Sequence, residues 1–253
     1  MSSPEMAVVQ AYLKELCLSA IAKQLPSTLR EAEQGRHDPL EFLRVLLEAE
    51  LNQRKINKAE RCLRQAKFPY HKGLEEFDFT ALPSLDKAKV LNLAGGEYIK
   101  KHHSVILIGN TGTGKTHLAI ALAREACRQG YRVRFYTAAG LVNELLEAQE
   151  SHTLGRLQNR WSKLHLVVLD ELGYIPFTKT GAQLLFQFVS LAYERSSLIV
   201  TTNLDFERWP EVFGDAELTT ALLDRLTHRA IILPMNGESY RFRDSLRMKQ
   251  QQG

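Results

Sequence analysis

The stretch Gly109-Asn110-Thr111-Gly112-Thr113-Gly114-Lys115-Thr116, set directly behind the apolar run Val105-Ile106-Leu107-Ile108, constrains this chain more than any other segment. It fits G-x-x-x-x-G-K-[ST] in full, with a strand-like run before it and a helix-like run after it, which is the context a phosphate-binding loop requires. Its glycines let backbone N–H groups close around a phosphate. Lys115 reaches β and γ oxygens, and the Thr116 hydroxyl can ligate Mg²⁺.

From Ser104 onward, apolar runs alternate with helical periodicity, the signature of an α/β fold whose parallel sheet is covered on both faces. Five strands are expected, at 105–108, 132–136, 166–169, 198–202 and 230–233. Four are near-continuous apolar runs, as strands buried on both faces should be. The second alternates Val133 and Phe135 with Arg132, Arg134 and Tyr136, which suits an edge strand with one wetter face. Helices are expected at 85–101, 115–128, 141–150 and 180–195, the first weakened by Gly95-Gly96, with a further one around Leu218, Leu222 and Leu226.

The first third of the chain is helical throughout, with breaks expected at Leu25-Pro26-Ser27 and near 35–39. Tyr12, Leu13, Leu16 and Ala20 fall at helical spacing, as do Phe42, Leu43, Leu46 and Leu47, so each segment has a stripe to bury. Asp38-Pro39 is a helix start, and Phe68-Pro69 a helix end. Along the third segment the acidic Glu41, Glu48 and Glu50 give way to Arg54, Lys58, Arg61 and Arg64. Three or four residues apart, these cations share a face along which a phosphate backbone could run, although such a face can equally be a solvated one. The organisation expected is a helical part over 1–72, a linker over 73–84 and a nucleotide-binding part over 85–253. Phe77 and Phe79, in the linker, either pack on the neighbouring part or wall an adenine site.

Composition excludes some classes. No apolar run approaches the ~20 residues of a membrane helix, and the N-terminus lacks a basic-then-apolar leader pattern, so a cytoplasmic protein without membrane contact is expected. Three scattered cysteines, Cys17, Cys62 and Cys127, indicate free thiols, and the eight histidines show no metal-ligand spacing. A formal charge of +4 permits an acidic partner without requiring one.

Leu166-Val167-Val168-Leu169 ends in Asp170-Glu171, the arrangement in which a first carboxylate holds Mg²⁺ and a second orients and deprotonates a water. Asn203 follows the 198–202 run and either senses a γ-phosphate or forms a turn. Arg225 and Arg229 precede the last strand. One of them either reaches a neighbouring subunit's nucleotide as an arginine finger or pairs with Asp224.

Taken together, the motifs resemble IstB, the helper ATPase of a class of bacterial insertion sequences, which is close to the DnaC helicase loaders. The resemblance spans nearly the whole chain. It rests on Leu47-Glu48-Ala49-Glu50 through Ala66-Lys67-Phe68-Pro69, Glu76-Phe77-Asp78-Phe79, Gly114-Lys115-Thr116-His117-Leu118-Ala119 and Arg134-Phe135-Tyr136-Thr137-Ala138. Further on it includes Asp170-Glu171-Leu172-Gly173-Tyr174, Thr202-Asn203, Leu223-Asp224-Arg225-Leu226 and Gly237-Glu238-Ser239-Tyr240-Arg241.

The resemblance implies an AAA+ ATPase using ATP and Mg²⁺, with 109–117, His117 included, as the nucleotide cradle. It implies assembly into homo-oligomers on duplex DNA and presentation of that DNA to a transposase. Asn203 then corresponds to the sensor-1 residue, Arg225 to the arginine finger and Arg241 to a sensor-2 arginine, with the usual C-terminal helical lid expected to be absent. The rivals are a helicase loader on single-stranded DNA and a nucleotide-gated protein adaptor without DNA. A small-molecule kinase is the weakest, since no acceptor-site motif is present.

Overall fold

The computed structural model describes residues 4–36, 38–193, 195–237 and 239–240. The chain divides into two compact units, 1–61 and 62–253.

The first unit contains α1 (Pro4–Glu15), α2 (Ser19–Glu33) and most of α3 (Pro39–Ala66), whose last turn belongs to the second unit. The Asp38 carboxylate accepts from the amides of Leu40 and Glu41 at 2.9 and 2.8 Å and so caps α3. The break expected at Pro26 is not there. The chain turns instead at Leu16-Cys17-Leu18, where Cys17 has φ of 55°, and Pro26 lies inside α2. Proline removes the donor that would serve the carbonyl four residues back, which is that of Ala22. Gln10 of α1 supplies the substitute, its side-chain amide donating to the Ala22 carbonyl at 3.0 Å.

Ile21, Leu25 and Leu46 form the buried core of this unit, with Met6, Leu13, Leu18 and Phe42 packed against them. The two expected stripes are therefore only partly buried. Tyr12, Leu16, Leu43 and Leu47 are exposed, because three helices around so small a core cannot cover both sides of each stripe. At the centre, the buried Glu50 carboxylate accepts from the amides of Ala20 and Ile21 and pairs with Arg54 at 2.9 Å.

In the second unit the last turn of α3, carrying Cys62 and Ala66, packs into the same buried cluster as Phe77 and Leu82. The expected single helix at 85–101 is two, α4 (Lys87–Ala94) and α5 (Glu97–Lys100), because Gly96 adopts φ of 78° and ends the first. There follow β1 (Ser104–Ile108), α6 (Lys115–Arg128), β2 (Val133–Thr137), α7 (Ala138–Glu150), α8 (Leu154–Trp161) and β3 (Leu166–Asp170). The chain continues through α9 (Lys179–Ala192), β4 (Ser197–Thr202), α10 (Pro210–Phe213), α11 (Ala216–Thr227) and β5 (Ala230–Pro234).

All five strands run parallel in the order β2-β3-β4-β1-β5. Alternate residues of each strand feed separate cores. Ile106, Val167, Leu169, Leu198 and Val200 join α7, α9 and α11 in one cluster, while Val105, Leu107, Leu166, Val168 and Ile199 join α6 in the other. The two clusters therefore lie on opposite faces. β2 is at one edge, in keeping with its alternating pattern, although Trp161 of α8 covers Tyr136 and donates to its hydroxyl at 3.1 Å. β5, expected to be buried on both faces, is the other edge and leaves Ile232 exposed. Among the described residues no helix is long and apolar enough to cross a membrane.

Candidate nucleotide site

Inserting β4 between β1 and β3 brings three strand ends together at the carboxyl edge of the sheet, where open α/β folds bind ligands. β1 delivers the 109–116 loop, β3 delivers Asp170 and β4 delivers Thr201, Thr202 and Asn203.

The loop is built on backbone that only glycine adopts easily. Gly109, Gly112 and Gly114 have φ of 151°, 83° and 88°. A Cβ on Gly109 would run into the carbonyl of Met235, and one on Gly114 would meet Phe77 at 3.1 Å. The Thr113 hydroxyl closes the turn onto the Asn110 carbonyl at 2.9 Å, and the loop leads into the first turn of α6, where helix amides have no intrahelical acceptor. Lys115 bends back, its ammonium donating to the carbonyls of Gly109 and Asn110 at 2.8 and 2.6 Å.

Asp170 is 3% exposed. Its Oδ1 accepts from the Thr116 hydroxyl at 2.9 Å and from the Thr201 hydroxyl at 2.5 Å. Burial pushes this carboxyl above its ordinary range, against the opposing pull of those hydroxyls, the Glu171 amide and the Lys115 charge. Glu171, next in the chain, has φ of 60°, a left-handed conformation that costs an ordinary residue on the order of 1 kcal/mol. Its amide donates to the Thr201 hydroxyl at 2.9 Å, and the Leu172 amide to the Thr201 carbonyl at 2.9 Å.

A cavity of about 500 Å³ opens over the loop. Residues 111–117, Glu171, Thr201, Thr202 and Asn203 line it, and so do Tyr70, Phe77, Tyr174 and Tyr240. Phe77 packs in the core at 8% exposed, edge-on to Phe79 and His117, and also borders the cavity. Phe79 stacks beneath the Lys87 ammonium instead. His117 ties the preceding segment to α6 through the Gly73 carbonyl at 2.9 Å.

Arg225 is not among the cavity residues. Its guanidinium lies over Phe186 at 4.7 Å and donates to the Ala221 carbonyl, with Arg229 and His102 nearby. Arg54, Lys58, Arg61 and Arg64 are exposed on α3, and Arg54 is held by Glu50. Arg241 lies outside the described residues. Thr201 escapes sequence reading because it looks like one more β-branched residue of a buried strand. Tyr240 escapes it too, although its amide donates to the Gly112 carbonyl at 3.0 Å, a closure that exists only because β5 pairs with β1.

The model of a family described as IstB-like ATP binding protein matches residues 11–248 of this chain. The chain belongs to that family. Among its IstB-like relatives, the ATP-binding protein of insertion sequence IS21 from Pseudomonas aeruginosa is 38% identical over 239 residues, 94% of this chain and 90% of that protein. Among solved structures, AMPPCP-bound DnaA from Aquifex aeolicus superposes with a TM-score of 0.56 at 20% identity, covering 74% of this chain and 56% of that one. The DnaC helicase loader does so with a TM-score of 0.52 at 17% identity, covering 69% of this chain and 98% of that one. The IstB-like chain thus shares the α/β fold of those two structures and belongs to a family described as ATP-binding.

Proposed function

We propose that the chain is a Mg²⁺- and ATP-dependent ATPase of the cytoplasm that assembles on duplex DNA, shares its nucleotide sites between subunits and assists a transposase. The observation that carries the catalytic part is the hydrogen bond from Thr116 to Asp170, which joins the phosphate loop to the acidic end of β3. A hydroxyl and a buried carboxylate are hard oxygen donors, the chemistry that suits Mg²⁺. Thr116 and Asp170 would hold it, and when bound it neutralises phosphate charge.

The other residues act by position. Lys115 would release its loop carbonyls to meet the β- and γ-phosphate oxygens. Glu171 would orient the attacking water and take its proton, and Asn203 would hold the γ-phosphate end of the cavity. The amides of 110–116 would bind the phosphates, that of Gly109 being held by the Thr202 carbonyl at 3.2 Å, with Phe77 and His117 bordering the nucleotide. Because Arg225 stands outside its own cavity, its finger role requires the nucleotide of an adjacent subunit.

Residues 1–72 would form the DNA-binding and oligomerising part, 73–84 the connection and 85–253 the ATPase. Two features support this. Arg54, Lys58, Arg61 and Arg64 are exposed along α3, and Leu40, Leu43, Leu47 and Leu51 are exposed on the same helix as a stripe suited to a protein partner. The relative from Pseudomonas aeruginosa is, by its description, a protein of an insertion sequence, which points to the transposase as that partner.

The test is fluorescence anisotropy of labelled duplex and single-stranded DNA across a salt series, with a slowly hydrolysed ATP analogue, with ADP and without nucleotide. Tight duplex binding only with the analogue is expected. A single-strand preference would replace this reading with a helicase loader, and salt-insensitive or undetectable binding would replace it with a protein adaptor.

A further inference from the structure

We infer that Thr201 is a positioning residue for ATP hydrolysis, setting the backbone corner that aims Glu171 while orienting Asp170. The inference rests on the ATPase reading above and adds a residue to it. Thr201 is 2% exposed at the end of β4, and its one hydroxyl is used twice. It donates to Asp170 Oδ1 at 2.5 Å and accepts from the Glu171 amide at 2.9 Å.

Its carbonyl accepts from Leu172 at 2.9 Å, so a single residue of β4 holds three consecutive residues of the 170–172 turn. Glu171 needs that hold. With φ of 60° and no glycine to ease it, this residue keeps its conformation only if surrounding bonds impose it. Phosphate contacts do not supply those bonds, since they belong to a different loop. The neighbouring Thr202 spends its hydroxyl elsewhere, on the amide and carbonyl of Leu204 at 3.1 and 3.3 Å.

The experiment compares wild type with Thr201→Val, which keeps the shape and deletes both hydrogen bonds, and with Thr201→Ser, which restores the hydroxyl. Thr201→Ala makes the same deletion should valine prevent folding. In Thr201→Val, kcat for ATP hydrolysis is expected to fall roughly 10- to 100-fold with KM within about threefold, because a misaimed base affects the transition state more than substrate binding. Thr201→Ser should recover most of the loss.

In a Glu171→Gln background, Thr201→Val should cost clearly less than in wild type, since the part of its effect that passes through Glu171 is already lost. A folded Thr201→Val or Thr201→Ala with wild-type kcat overturns the inference. So does a serine variant as slow as valine at equal thermal stability, or full additivity with Glu171→Gln. A wild-type protein that does not hydrolyse ATP at all would sink the ATPase reading, and this inference with it.

Discussion

Asp170 and Thr116, 54 residues apart in the chain, share a hydrogen bond of 2.9 Å that connects the end of β3 to the first turn of α6. The acceptor is a buried carboxylate, and ionised groups are costly to bury. Without nucleotide, that cost falls on the folded state. Asp170→Asn should therefore melt at the same temperature as wild type or higher in EDTA while losing ATP hydrolysis. Differential scanning fluorimetry beside a phosphate-release assay checks both halves, and a lower melting temperature would show that the carboxylate stabilises the fold instead.

Glu171 lines the cavity beside the phosphate loop. Glu171→Gln keeps its size and hydrogen-bonding capacity but cannot take a proton. Hydrolysis should drop by about 10²- to 10⁴-fold, the range of general-base contributions, with nucleotide affinity retained. Such a variant should remain on DNA as a long-lived oligomer, read by size-exclusion chromatography with light scattering. An unchanged hydrolysis rate would remove Glu171 from the role of base.

The nucleotide loop and the five strands were legible in the sequence because their signals are local. Eight consecutive residues define the loop, and each buried strand is its own apolar run. What was not legible depends on partners far along the chain. Thr201 gains its place only when β4 lies beside β3, and the Ala22 carbonyl that Pro26 cannot serve meets Gln10 of another helix. The break at Gly96 was visible as a weakness of the helix but not as its end. The placement of Arg225 beside Phe186 follows from α9 packing on α11, which no spacing rule reveals.

Gln10 offers a direct test of that rescue. Gln10→Ala should cost about 1 kcal/mol, because it leaves the Ala22 carbonyl without its donor. In a Pro26→Ala background, which restores the backbone donor, the same change should cost close to nothing. Urea denaturation of the four proteins, followed by far-ultraviolet circular dichroism, gives the double-mutant cycle. Equal costs in both backgrounds would mean that Gln10 acts by something other than replacing the proline's missing N–H.

Glu50 links stability to pH. Burial raises its carboxyl, but the Arg54 guanidinium and the amides of Ala20 and Ile21 outweigh that and hold it below the ordinary carboxylate range. A carboxyl lowered by folding contributes stability that is present above its unfolded value, about 4.3, and is lost as pH falls through the folded one. Glu50→Ala should therefore be less stable than wild type at pH 7, by about 1 kcal/mol for the lost cap of α2. The gap should close below pH ~4. Denaturation at a series of pH values checks it, and a gap independent of pH would assign the effect to packing.

The same ion pair decides which substitutions can test DNA contact on α3. Arg54→Ala removes a cation but also strips the buried Glu50 of its partner, so weakened binding by that variant would not separate contact from unfolding. Lys58, Arg61 and Arg64 are exposed, and their substitution by alanine carries less structural cost. Each that touches a phosphate should weaken duplex binding without regard to sequence and lower the slope of log K against log salt by about 1. A triple variant with wild-type affinity and slope would move the DNA contact off this helix, leaving the cations of α3 as a solvated face.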